Sequence, residues 1–134
     1  MAMRWFGRDK PREPWDEEIV WPIGDIEAAD LIRRICRSAS EAAAIVARPS
    51  DGKEKRSQTR LRKSETVRYE RAAKCAMEIA LKVKDDLMRD AAIREIVELC
   101  LKANDLKTAQ ILLRAIQSEA IREDVLNANP VLRS

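Results

Sequence analysis

After residue 24, apolar residues return at steps of three and four along most of the chain, a spacing that draws helical stripes and not strands. In the stretch opening "GDIEAADLIRR", Ile32, Ile35, Cys36, Ala39, Ala43 and Val46 share one face. The pattern predicts a helix capped by Asp25 and ended before Arg48. A second helix is predicted to start between Gln58 and Glu65, with its apolar side clear only from Ala72 through Cys75, Ala76, Ile79, Ala80 and Val83. Its first half is therefore expected to project into solvent. A third helix follows a cap at Asp85 or Asp86, with Met88, Ala92, Ile96, Leu99, Cys100 and Ala103 inward. A fourth follows Asn104 or Asp105, with Leu106, Ala109, Leu113 and Ile116 inward, and a short fifth runs from a Ser118 cap to just before Pro130. Connections this short force antiparallel neighbours. The prediction is an all-α fold of about five helices in antiparallel hairpins, as a short solenoid-like array or a bundle. Residues 1–24 form an extended lead and 25–134 one helical domain, with a basic linker at 48–57.

The lead is unlike the rest. Its stretch "RWFGRDKPREPWDEEIVWP" holds all three tryptophans and the only phenylalanine, broken by Pro11, Pro14 and Pro22. Proline excludes a helix interior and biases its predecessor toward extended backbone. Large flat side chains on such a segment have two uses. Trp15 and Trp21 either fold back over the end of the helical domain, with Trp21 and Ile23 stapling the first helix, or meet a partner together with Trp5 and Phe6. All four are candidate partner-binding residues, and Trp5 and Phe6 lie farther from the first helix.

Composition narrows the chemistry. Charged residues make up 37% of the chain, alanine carries much of the apolar share, and only three residues are glycine, which is the make-up of packed helices. No apolar run reaches the ~18 residues of a membrane span and no secretory h-region opens the chain, so a soluble cytoplasmic protein is expected. Histidine is absent, which removes the usual general base and metal ligand. Cys36, Cys75 and Cys100 are too widely spaced for a metal knuckle and read as buried hydrophobes. The carboxylate pairs Asp85/Asp86 and Glu95/Glu98 read as cap residues and as a solvent-facing pair. No catalytic residue, metal or cofactor is expected, and the chain is read as non-enzymatic.

An offset of 33 residues sets Ala76 on Ala109, Ile79 on Leu112, Ala80 on Leu113 and Val83 on Ile116. The same shift sets Met88 on Ile121, Arg89 on Arg122, Asp90 on Glu123, Ala92 on Val125 and Ile93 on Leu126. A period near 33 is that of a helix–turn–helix repeat. Over Arg71–Pro130 the chain resembles the tetratricopeptide-like and related α-helical hairpin repeats. The tryptophan, glycine and tyrosine positions of tetratricopeptide units are not met, so the resemblance implies paired helices and a habit of binding other polypeptides. The Arg89 and Asp90 positions are expected to bridge to the preceding helix and fix the hairpin angle.

Charge is uneven. The net charge is +3, but residues 48–74 carry ten bases against four acids. Arg56, Arg60, Arg62, Lys63 and Arg68 are candidate contacts to an acidic partner or to nucleic acid, where neutralised phosphates would make affinity salt-dependent. A helix-turn-helix reading of 94–116 fares worse, because Ile111, Leu112 and Leu113 stand where base-reading polar residues are wanted. The expected function is a protein-protein interaction module, an adaptor, scaffold or small accessory subunit, with nucleic-acid binding by residues 53–71 as the alternative. Self-association stays open.

Overall fold

The computed structural model describes residues 13–49, 52, 53 and 55–133. Its described residues are all-helical: α1 (Asp25–Ala47), α2 (Arg56–Ala80), α3 (Asp86–Lys102), α4 (Leu106–Ala115) and α5 (Glu119–Ala128), with short 3-10 turns at Pro14–Asp16 and Pro130–Arg133. Trp5 and Phe6 lie outside the described residues.

Three helix starts are set by side chains closing on their own first turn. Asp85 accepts the Met88 N–H at 2.9 Å, Asp105 accepts that of Thr108 at 3.2 Å and Ser118 that of Ile121 at 3.2 Å. These satisfy donors that no intrahelical carbonyl reaches. Two starts differ from the sequence expectation. Gly24 is the N-cap of α1, its N–H held by the Glu27 carboxylate at 3.3 Å, so Asp25 is the first helical residue. α2 begins at Arg56, ahead of Gln58, because the Gln58 side chain takes the Lys55 N–H at 3.0 Å. Between α3 and α4, Asn104 has a φ of 59° and ends α3, while Asp105 donates its N–H back to the Cys100 carbonyl at 2.8 Å. Asparagine tolerates that left-handed geometry, which lets one residue replace a turn glycine.

Contacts between helices fix the layers. The start of α2 meets the end of α1, since Arg62 donates to the carbonyls of Val46 and Arg48. That makes α1 and α2 antiparallel. Arg33 faces Glu95 at 3.7 Å and the Lys102 ammonium donates to the Ser40 hydroxyl, so α1 and α3 run parallel. α3 packs on α1, α2, α4 and α5. It forms the middle of the molecule.

The core is Ile32, Ile35, Ile79, Ile93, Ile96, Val97, Ile116 and Val125, closed by small residues. Ala39, Ala42 and Ala43 of α1 and Ala72 and Ala76 of α2 are wholly buried, so these two helices approach closely. Only the first turns of α2 project: residues 56–61 are exposed, whereas Glu65 and Tyr69 are buried. The second half of the expected projection is therefore packed, on α1.

Two carboxylates tie successive helices together. Asp25 accepts the N–H groups of Lys84 and Asp85, both at 2.9 Å, ahead of α3. Asp90 accepts those of Gln117 and Ser118, at 3.1 and 2.8 Å, ahead of α5. The donor pairs 84/85 and 117/118 are 33 residues apart. So are the caps Asp85 and Ser118, and so are the arginines that reach back, Arg89 to the Val83 carbonyl at 3.4 Å and Arg122 to that of Ile116 at 2.6 Å. The expected backward bridge is made by the arginines alone. Asp90 is 1% exposed and turns forward to the next helix, while Glu123 is exposed and pairs with Arg133 at 3.6 Å.

Candidate functional site

The tryptophans of the lead have different surroundings. Trp15 is 8% exposed, its carbonyl accepts the Cys75 thiol at 3.7 Å, and the Arg68 guanidinium sits 5.5 Å from its ring centre. Arg68 is in turn gripped by Glu13 at 2.8 and 3.1 Å and by Glu65 at 2.7 Å. Trp21 is 38% exposed, precedes a cis peptide to Pro22, and has the Lys82 ammonium 4.8 Å from its ring centre. Trp15 is thus built into the fold, and Trp21 lies on its surface.

The five bases singled out in the sequence also divide. Arg62 serves the carbonyl end of α1 and Arg68 serves the lead. Arg56, Arg60 and Lys63 remain exposed on the outer side of α2, where Arg71 and Lys74 join them. The structure brings these last five onto one face.

Sequence periodicity did not single out the groove between α2 and α4. Its floor is Ala73, Met77, Leu81 and Leu112, and its volume is about 380 Å³. Leu81, just past the end of α2, is 63% exposed. At one end Tyr69 donates its hydroxyl to Asp105 at 2.7 Å. Burial first, and then the hydrogen bonds to Cys100 and Asp105, push the Tyr69 phenol above its usual range, so it stays a neutral donor at physiological pH. Glu70, Lys74 and Glu78 stand on the rim, all exposed. The one available signal was that Ala73, Met77 and Leu81 widen the apolar side of α2 beyond its buried stripe. The gap itself depends on where α4 lands, which local pattern does not encode.

A second cavity, about 320 Å³, lies between α1 and α3 and gathers Arg33, Arg37, Lys102, Glu95 and Glu98 around Cys36. Burial, and then Glu95, push the Cys36 thiol up to about 12. It is protonated at neutral pH and a poor nucleophile. Burial also raises Glu95, against the pull of Arg33, and Glu98 pairs with Arg94 at 3.6 Å. Of the other carboxylate pair, Asp85 caps α3 and Asp86 holds Arg89 at 2.7 Å. Among the described residues no group of three or more acidic or cysteine side chains is arranged to hold a metal ion, and no helix is long and apolar enough to cross a membrane.

These features define an all-helical protein with an apolar groove on one flank and a basic face beside it. Comparison of the chain with protein-family models, with curated proteins and with solved structures finds no match in any of the three.

Proposed function

We propose that the protein is a non-enzymatic interaction module that holds a segment of another polypeptide in the groove between α2 and α4. The observation that carries this reading is the groove itself, an apolar floor left open beside charged rims. Burying Leu81 and the half-exposed Met77 and Ala73 would supply the driving force, at roughly 25 cal/mol per Å² of apolar surface removed from water. Asp105 is already committed to Tyr69 and Thr108, which leaves Glu70 and Glu78 as the acids facing a ligand. The fitting occupant is a short apolar segment, helical or extended, with basic flanks.

The hydrogen bonds recurring at 33 residues support a related reading, that α2–α3 and α4–α5 are two units of a tetratricopeptide-like array with α1 as the helix before them. Three free cysteines fit a reducing, cytoplasmic setting. Affinity capture from the native cell, with wild type and with Ala73→Arg, tests the function. Arginine at 73 fills the groove without touching the core. Partners retained by wild type and lost by the variant support the reading, and identical recoveries contradict it.

A further inference from the structure

The outer face of α2 gathers bases at helical spacing. Several residues three or four apart carry opposite charges and are paired: Asp30 with Arg33, Asp86 with Arg89, Arg94 with Glu98, and Glu65 with Arg68 on the inner side of α2 itself. Where like charges share these spacings on α1 and α3, as Arg33 with Arg37 and Glu95 with Glu98, the bases and acids line one cavity together. On the outer face of α2 the same spacings hold like charges, Arg56 with Arg60, Arg60 with Lys63, and Arg71 with Lys74, and of these five only Lys74 has acids at such a spacing, Glu70 and Glu78. Like-charged neighbours of this kind each weaken an isolated helix by roughly 0.2–0.5 kcal/mol. None of the five makes an ion pair among the described residues, and the positive end of the helix dipole adds to the first cluster. A face that keeps repulsion uncompensated at Arg56, Arg60, Lys63 and Arg71 in the free protein is complementary to a polyanion.

Its geometry selects among polyanions. The cations fall in two clusters, and Lys63 and Arg71, which bound the gap, are eight residues apart, or about 12 Å at 1.5 Å per residue. That matches the ~12 Å major groove of B-form DNA, with one cluster for the phosphates on each side and Val67, 54% exposed, between them. A-form RNA presents a major groove too narrow for this placement. No aromatic side chain stands on the face, so it lacks the stacking platforms of single-strand binders. Only Val67 and Leu61 are exposed apolar residues on this half of α2, too few to insert into a lipid surface.

We propose that Arg56, Arg60, Lys63, Arg71 and Lys74 bind the phosphate backbone of duplex DNA across its major groove, without reading bases. Five neutralised phosphates give a slope of about −4.5 in log affinity against log salt, at 0.9 per phosphate. Affinity then falls about 500-fold between 50 and 200 mM salt. The triple variant Arg56→Gln/Arg60→Gln/Lys63→Gln has two contacts left and a slope of about −1.8, a fall of about 12-fold over the same range. Fluorescence anisotropy of a labelled 20-base-pair DNA, titrated with the full chain at several salt concentrations, reads both slopes. Arg71→Gln/Lys74→Gln is a second variant, expected near −2.7, and circular dichroism establishes that each variant is helical. Absence of binding at 50 mM salt overturns the proposal, as do slopes that neither variant changes. Equal or tighter binding to duplex RNA, to single-stranded DNA, to polyglutamate or to phosphatidylserine vesicles also overturns the DNA assignment. Lys74 also stands on the rim of the groove, so the triple variant at Arg56, Arg60 and Lys63, which leaves the groove lining intact, is the one that separates this proposal from the groove reading.

Discussion

Trp15 and Trp21 stand six residues apart in the same proline-broken stretch, yet one is interior and the other is not. Nothing local separates them, because the segment has no periodicity to assign a face. The choice is made by residues far along the chain, Arg68 and Cys75 for Trp15 and Lys82 for Trp21. Trp15→Ala is expected to cost roughly 3–5 kcal/mol, as for a large aromatic removed from a core. Trp21→Ala is expected to cost about 0.5–1 kcal/mol, the value of an exposed cation–π contact, and urea denaturation of the two variants distinguishes them. Asp90 is a second residue whose role was hidden. The repeat suggested a bridge back to the preceding helix, and only the fold shows Asp90 turned forward onto Gln117 and Ser118. Asp90→Ala leaves two backbone donors without their acceptor and should lower stability by roughly 2–4 kcal/mol, with Asp90→Asn losing less because one acceptor oxygen remains. Equal stability of Asp90→Ala and wild type would show that the contact is dispensable.

At the scale of elements, the helices were legible wherever an apolar stripe and a capping side chain coincided. Asp85, Asp105 and Ser118 mark three starts because a short oxygen-bearing side chain before an apolar run has one obvious local use. Asp25 broke that pattern, since its carboxylate is spent on α3, about 60 residues away, while a glycine caps α1. Two backbone donors, Lys84 N–H first and Asp85 N–H second, lower the Asp25 pKa below its usual 3.8. With the folded value depressed, the contribution of Asp25 is present above pH 3.8 and is lost as pH falls through the lower folded value. Wild type should therefore exceed Asp25→Asn in melting temperature at pH 6, with the difference shrinking below pH 3.8. A difference constant with pH would rule the linkage out. The thiols run the opposite way. Burial raises Cys36 to about 12 and Cys100 to about 11, so the stability they lend is full below the ordinary 9.0 and is lost as pH climbs toward those values. Native protein at pH 8 should accordingly react with a thiol reagent far more slowly at Cys36 and Cys100 than urea-unfolded protein does, and equal rates would contradict the burial.

For the whole molecule, the all-α class and the five-helix count were written in the spacing of apolar residues, while the surfaces that suggest function were not. The basic excess of residues 48–74 was visible, but its division was not: Arg62 and Arg68 are spent inside the fold, and Arg71 and Lys74 complete the outer face. The groove was invisible for a different reason. It is a gap between two helices joined through α3, and Met77, Leu81 and Leu112 line it only because of how α3 sets α4 beside α2. We propose that this gap receives a polypeptide. Nuclear magnetic resonance of uniformly labelled protein, titrated with apolar, basic-flanked peptides selected from a displayed random library, tests that claim most directly. Shifts concentrated at residues 69–81 and 105–112, abolished by Ala73→Arg, are the predicted result. Selected peptides that shift other surfaces, or that bind Ala73→Arg as well as wild type, would contradict it.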